Sequence, residues 1–126
     1  VSASARLFLI LGSANAALAV ILGAFGAHAL RARLTPAMLD VYRTASQYHF
    51  YHALGLLVIA ALATRIPDSA MLRWSGWLMT AGIVLFSGSL YLLAVTGTGW
   101  LGAITPLGGL AFIAAWVALL AMALRT

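Results

Sequence analysis

Leu7–Ala27, LFLILGSANAALAVILGAFGA, is a run of 21 residues without a charge, and its reading decides the fold. At 1.5 Å per residue a helix of that length crosses a hydrocarbon core about 30 Å thick. Arg6 precedes the run, and Arg31 and Arg33 follow it. A cleaved secretory signal is the competing reading, because Ala27-His28-Ala29 has the small-residue spacing of a cleavage site. The run is longer than an ordinary signal core, so it is read as a retained span. Gly12, Ala16, Ala19, Gly23 and Gly26 recur at intervals of four and three. That stripe predicts a seam where a neighbouring helix approaches closely and gains dispersion contacts. A tightly packed seam implies that this helix is the most buried of the set. Asn15 borders the stripe near mid-membrane, where an amide needs a partner across a helix interface.

The rest of the chain agrees in character. Of 126 residues, 64% are hydrophobic and 7% charged, and the mean hydropathy is +1.07. Soluble domains carry about 25% charged residues, so most of this surface must face lipid. The charges are seven arginines and two aspartates, net +5. The arginines stand singly at the ends of apolar runs, which is helix-end anchoring to headgroups and excludes a nucleic-acid patch. With no cysteine, disulfides, iron–sulfur clusters and thiolate metal sites are excluded.

Three further spans follow. Thr35-Pro36 is a cap-plus-proline helix start. The helix it opens is amphipathic over its first third, with Asp40, Arg43, Thr44 and Gln47 on one face, and embedded from about Gln47. The short loop Arg65–Ser69 makes the next helix an antiparallel neighbour, with Asp68 or Ser69 as its cap. Arg73, Trp74 and Trp77 anchor that helix at the interface, and Ser75, Gly82 and Ser89 repeat at seven as a second seam. The uncharged stretch Thr96–Ile104 is an interfacial turn or a short dip into the membrane, and Thr105-Pro106 repeats the cap-plus-proline start. The expected fold is all-α, a membrane four-helix antiparallel bundle forming a single integral domain over 1–126, with spans near 7–30, 36–64, 70–95 and 106–124. Arg6, Arg65, Arg73 and Arg125 against Arg31, Arg33 and Arg43 place both termini in the cytoplasm by a margin of one arginine.

Four ordered motifs carry a resemblance over nearly the whole chain. They are Gly23-Ala24-Phe25-Gly26-Ala27-His28-Ala29-Leu30, Tyr48-x-x-Tyr51-His52-Ala53-Leu54, Ser87-Gly88-Ser89-Leu90-Tyr91 and Ile104-Thr105-Pro106-Leu107-Gly108-Gly109. Together they resemble the domain of unknown function 423 family, small bacterial inner-membrane proteins with a eukaryotic small transmembrane relative. The resemblance implies a four-helix, multi-pass inner-membrane protein and supplies no activity. His28, Tyr51 and His52 match the family pattern, whereas glutamine is common at the position of His49, which ranks His28 and His52 above His49.

Gln47-Tyr48-His49-Phe50-Tyr51-His52 is the densest polar and aromatic cluster in the chain. His28 belongs to the same half of the bilayer, because the first helix leaves the membrane where the second enters. A continuous, tilted second helix places His28 near the Tyr42–His49 portion, with His52 one turn deeper and hydrogen-bonded across helices. His49 and His52, three apart, share a face and could offer two imidazoles to one metal with a third from His28; haem ligation is also geometrically reasonable. The residue types equally suit a structural polar network or contact with a quinone or lipid headgroup. The candidate contact residues are His28, His52, Tyr48, Tyr51, His49 and Asn15, and no particular cofactor is specified. Both aspartates lie in loop or interfacial segments, so no carboxylate pair serves acid–base work, and the expectation is a protein that is not an enzyme. Proton-coupled export needs a membrane-embedded ionisable group, which only the histidines could supply; a passive pore or small-solute transporter is the alternative class. The favoured class is an accessory or structural membrane subunit, with membrane lipids and a homo-oligomer or larger complex as partners, and no nucleic acid.

Overall fold

Each helix begins where a hydroxyl or a proline can satisfy or dispense with its first amides. In the computed structural model, which describes residues 1–126, the Ser2 hydroxyl accepts from the Ala5 amide and opens α1, Ala3–Phe25. A π-helical turn, Gly26–Leu30, extends it. Thr35 accepts from the Met38 amide, with proline at the first position, and opens α2, Pro36–Ala63. Ser69 caps α3, Ala70–Gly82. Asp68 instead pairs with Arg73 at 2.5 Å. A second π-helical turn, Ile83–Gly88, joins α3 to α4, Ser89–Thr96, as one continuous rod. Gly97 ends that rod at φ 70°, the left-handed conformation that glycine adopts without a Cβ penalty. A 3-10 turn, Gly99–Ala103, then leads into α5, Thr105–Arg125.

The chain is thus all-helical, with four helices in its tertiary fold. Three of them, Ala3–Leu30, Ala70–Thr96 and Gly99–Arg125, are long and apolar enough to cross a membrane. The fourth, α2, is long enough but carries the polar residues. The expected N-cap at Thr105 is not formed. Ile104 is already helical, because the 3-10 turn runs straight into α5. The Thr105 hydroxyl turns instead to Ser89, 2.6 Å away.

Between membrane helices lipid offers no less apolar a surface than leucine does, so packing fit and hydrogen bonds hold them together. The small-residue stripe of α1 lies on α2. A Cβ at Gly12 would stand 2.7 Å from Leu57, one at Gly23 3.2 Å from the Ser46 hydroxyl, and one at Gly26 would clash with the edge of the Tyr42 ring. The second seam lies on α5. Ser75 donates to the Ala115 carbonyl at 2.8 Å, Gly82 admits the Phe112 ring, and Ser89 meets Thr105. Gly108 goes further: a Cβ there would strike the backbone nitrogen of Phe86.

The most buried helix is α2, not α1 as the seam suggested. Leu39, Tyr42, Ala45, His49, His52 and Leu56 of α2 are all buried, whereas Leu9, Ile10, Leu18, Val20 and Ile21 of α1 are exposed. A glycine stripe buries only the width of one seam. The helix that receives it from one side and α3, α4 and α5 from others becomes the hub. The principal core cluster joins Phe8, Leu56, Ile59, Leu72, Met79 and Phe112.

Candidate functional site

Three residues on a helix subtend 300°, so His49 and His52 lie about 60° apart in azimuth on α2. That angle suffices to send them to different neighbours. His49 faces α1 and α4. Its Nε2 is 2.9 Å from Asn15 Oδ1 and its Nδ1 is 2.9 Å from the Tyr91 hydroxyl. His52 faces α5. Its ring stacks on Phe112 at 3.5 Å, its Nδ1 is 2.7 Å from the Tyr48 carbonyl, and its Nε2 is 3.0 Å from Trp116 Nε1. Both imidazoles are buried.

The partners assign the protons. At His52 a carbonyl can only accept and an indole N–H can only donate. The ring is therefore the Nδ1–H tautomer, with Nε2 receiving the Trp116 proton. A second proton on Nε2 would point at the indole N–H, and a metal ion would have to displace it. At His49 the Asn15 amide is oriented by its own NH2 group, which donates to the Leu11 carbonyl at 2.9 Å. Asn15 Oδ1 therefore accepts, His49 Nε2–H donates to it, and the Tyr91 hydroxyl donates to Nδ1. This gives a chain of polar groups, Tyr91 to His49 to Asn15 to the Leu11 carbonyl, that ties α4, α2 and α1 together. Tyr42 donates to the Leu22 carbonyl at 2.5 Å while packing edge-on against Tyr91.

The other sequence candidates do not enter this network through their side chains. His28 is exposed on the π-helical turn and makes no side-chain hydrogen bond. It stands two residues, about 200° around a helix, from Gly26, whose face is packed on Tyr42, so it turns outward. The expected convergence of His28 with the α2 cluster does not occur. His28 thus lies outside the hydrogen-bonded network that His49 joins. Tyr48 and Tyr51 are exposed and pack edge-on against each other, with Tyr48 also against Phe86. Asn15 has the cross-helix partner that its depth requires. The three histidines do not converge, and no three His, Asp or Glu side chains come together to hold a metal ion. Asp40 and Asp68 are both exposed and ion-paired, with Arg43 at 3.8 Å and Arg73 at 2.5 Å.

Two residues of the network were not among the candidates. Tyr91 lies in the Ser87–Tyr91 motif, which brings two serines and a tyrosine to the far end of the third span. Trp116 lies eleven residues into α5, about 16 Å from its start. That depth is too great for an interfacial anchor and so signals an indole needing an acceptor.

The fold and site define a small helical membrane protein with a His–Asn–Tyr network between its helices. The family model described as a protein of unknown function (DUF423) matches residues 22–109, and the chain belongs to that family. It is 54% identical over 120 residues to the UPF0382 membrane protein YwdK of Bacillus subtilis, covering 95% of this chain and 98% of the relative. It is 47% identical over 120 residues to a UPF0382 membrane protein of Staphylococcus epidermidis, covering 95% and 97%. No solved structure matches the chain. The relatives' names speak of membrane proteins and of no enzymatic reaction.

Proposed function

We propose that this protein is an accessory or structural subunit of the bacterial inner membrane, a single-domain antiparallel bundle with both termini on the cytoplasmic side, and not an enzyme. The observation that carries the reading is the occupancy of the histidines. Every ring nitrogen of His49 and His52 is engaged by a group of the same chain. Such a network joins α1, α2, α4 and α5 and leaves no ring nitrogen of either buried imidazole free for chemistry. The short connections between successive helices support the antiparallel arrangement. The test is purification in mild detergent, followed by an absorbance spectrum and a native mass measurement. The expected result is the mass of the polypeptide, alone or with lipid, a protein partner or a second copy, and no visible absorption band. A stoichiometric haem, quinone or metal ion that is lost on His49→Leu or His52→Leu substitution overturns the reading.

A further inference from the structure

A groove of about 390 Å³ lies on the outer face of the α1–α2 seam, floored by Ala19 and Gly23 and walled by Val20 and Phe50, with Arg43 and Gln47 along its rim. Its size is that of a small-molecule site, about 300–1,000 Å³. Its depth follows from the length of α2. The 28 residues Pro36–Ala63 rise about 42 Å, against a hydrocarbon core of about 30 Å. The Ala53–Ala63 half is apolar, so the surplus of roughly eight residues projects at the polar end, from Pro36 to Arg43. Arg43 therefore stands at the level of the headgroups and Gln47 about 6 Å deeper, where glycerol esters lie. Arg43 is exposed and its one ion pair, to Asp40, is long at 3.8 Å. Arg31 and Arg33 add positive charge at the same end against that single aspartate. The Gln47 amide is exposed and makes no side-chain hydrogen bond within the chain, so its donor and acceptor face the lipid interface free.

We propose that this groove holds one anionic glycerophospholipid of the surrounding leaflet, with its phosphate on Arg43, an ester carbonyl accepting from the Gln47 amide, and an acyl chain laid over Ala19 and Gly23. The small residues of α1 supply the hollow, and the two polar side chains match a phospholipid in order and depth. The site stands on the outside of the bundle, so it is independent of whether the His49 network is structural. Purified protein equilibrated with mixed micelles of equal phosphatidylglycerol and phosphatidylcholine provides the test, with retained lipid counted by native mass measurement. One phosphatidylglycerol should be retained in about fivefold preference, the contribution of one arginine near an anionic surface. Arg43→Gln should abolish the preference. Gln47→Leu should lower the retention of both lipids alike, about fivefold, because both carry the ester. Arg31→Gln, which removes the same charge outside the groove, should leave the preference in place. Both groove variants alter exposed side chains, Arg43 with one long ion pair and Gln47 with no side-chain hydrogen bond within the chain, so folding is retained. Equal loss of preference in Arg31→Gln and Arg43→Gln would mean diffuse electrostatic attraction and would overturn the site, as would undiminished retention in Gln47→Leu.

Discussion

Replacing His49 by leucine is expected to destabilise the protein by about 2–3 kcal/mol, and the figure can be worked from its partners. The substitution removes both contacts at 2.9 Å and strands Asn15 Oδ1 and the Tyr91 hydroxyl. A buried polar group left unpartnered costs about 1–3 kcal/mol. Hydrogen bonds between membrane helices average nearer 0.6 kcal/mol in double-mutant cycles, because an unfolded membrane segment finds other partners. Two stranded groups plus the mismatch in shape place the sum at about 2–3 kcal/mol. Glutamine at the same position offers one amide donor for Asn15 and one carbonyl acceptor for Tyr91, so His49→Gln should cost under about 1 kcal/mol. His28→Ala, at an exposed side chain without a hydrogen bond, should stay within about 0.5 kcal/mol. The assay is reversible unfolding in mixed micelles followed by tryptophan fluorescence, with Trp116 as a native reporter on His52. An Asn15→Leu, His49→Leu double-mutant cycle should return a coupling of about 0.6–1.7 kcal/mol. If His28→Ala costs as much as His49→Leu, or the cycle returns no coupling, the three-helix network does not hold the fold.

Three further outcomes are expected. Gly108→Ala should be severely destabilising, by about 2–3 kcal/mol or more, since the new methyl meets the Phe86 backbone and not a movable side chain; Gly99→Ala, with open space around it, should be silent in the same unfolding assay. Ser87→Ala should be neutral or stabilising by up to about 1 kcal/mol, because the Ser87 hydroxyl is buried without a partner; a clear loss of stability would reveal a bond that the hydroxyl makes. Trp116→Phe should cost about 1–2 kcal/mol by leaving His52 Nε2 unpaired, and equal stability in His52→Leu backgrounds with and without Trp116 would check that the loss runs through that bond.

The all-helical, membrane-spanning character was legible because it rests on run length and caps. Leu7–Ala27 could be nothing shorter than a span, and Thr35 and Ser69 cap where their hydroxyls stand. The partners of the two seams were not legible. A stripe such as Gly12–Gly26 states that something approaches, and only the fold states that it is α2. The polar site was half legible for the same reason. Asn15 and His52 needed partners by depth alone. Which histidine met Asn15 depended on the rotational phase between α1 and α2, and that phase is fixed by contacts such as Gly26 on Tyr42 that no single-helix periodicity contains. Family resemblance weighted His28 and His52 over His49. Donor and acceptor geometry explains why position 49 need not be histidine to perform its role, since an amide supplies the same two functions.

The placement of the polar residues also explains why the least apolar long helix occupies the centre. Imidazoles and a buried tyrosine on a lipid-facing helix would leave groups without partners in hydrocarbon. On α2 they are turned to α1, α4 and α5, and Asn15, Tyr91 and Trp116 supply complementary donors and acceptors. The lipid-facing surface is then left to side chains such as Val20, Ile21, Val84, Leu110, Ile113 and Leu120, all exposed. Because Tyr42, His49 and His52 each have a partner on another helix, sliding α2 by a turn against α1, α4 or α5 breaks a bond as well as a seam. Packing alone, between surfaces no more apolar than lipid, discriminates weakly between such registers. On the proposed reading the histidines act on the fold as register pins, and the glycines, by bringing the backbones close, put the pins within reach.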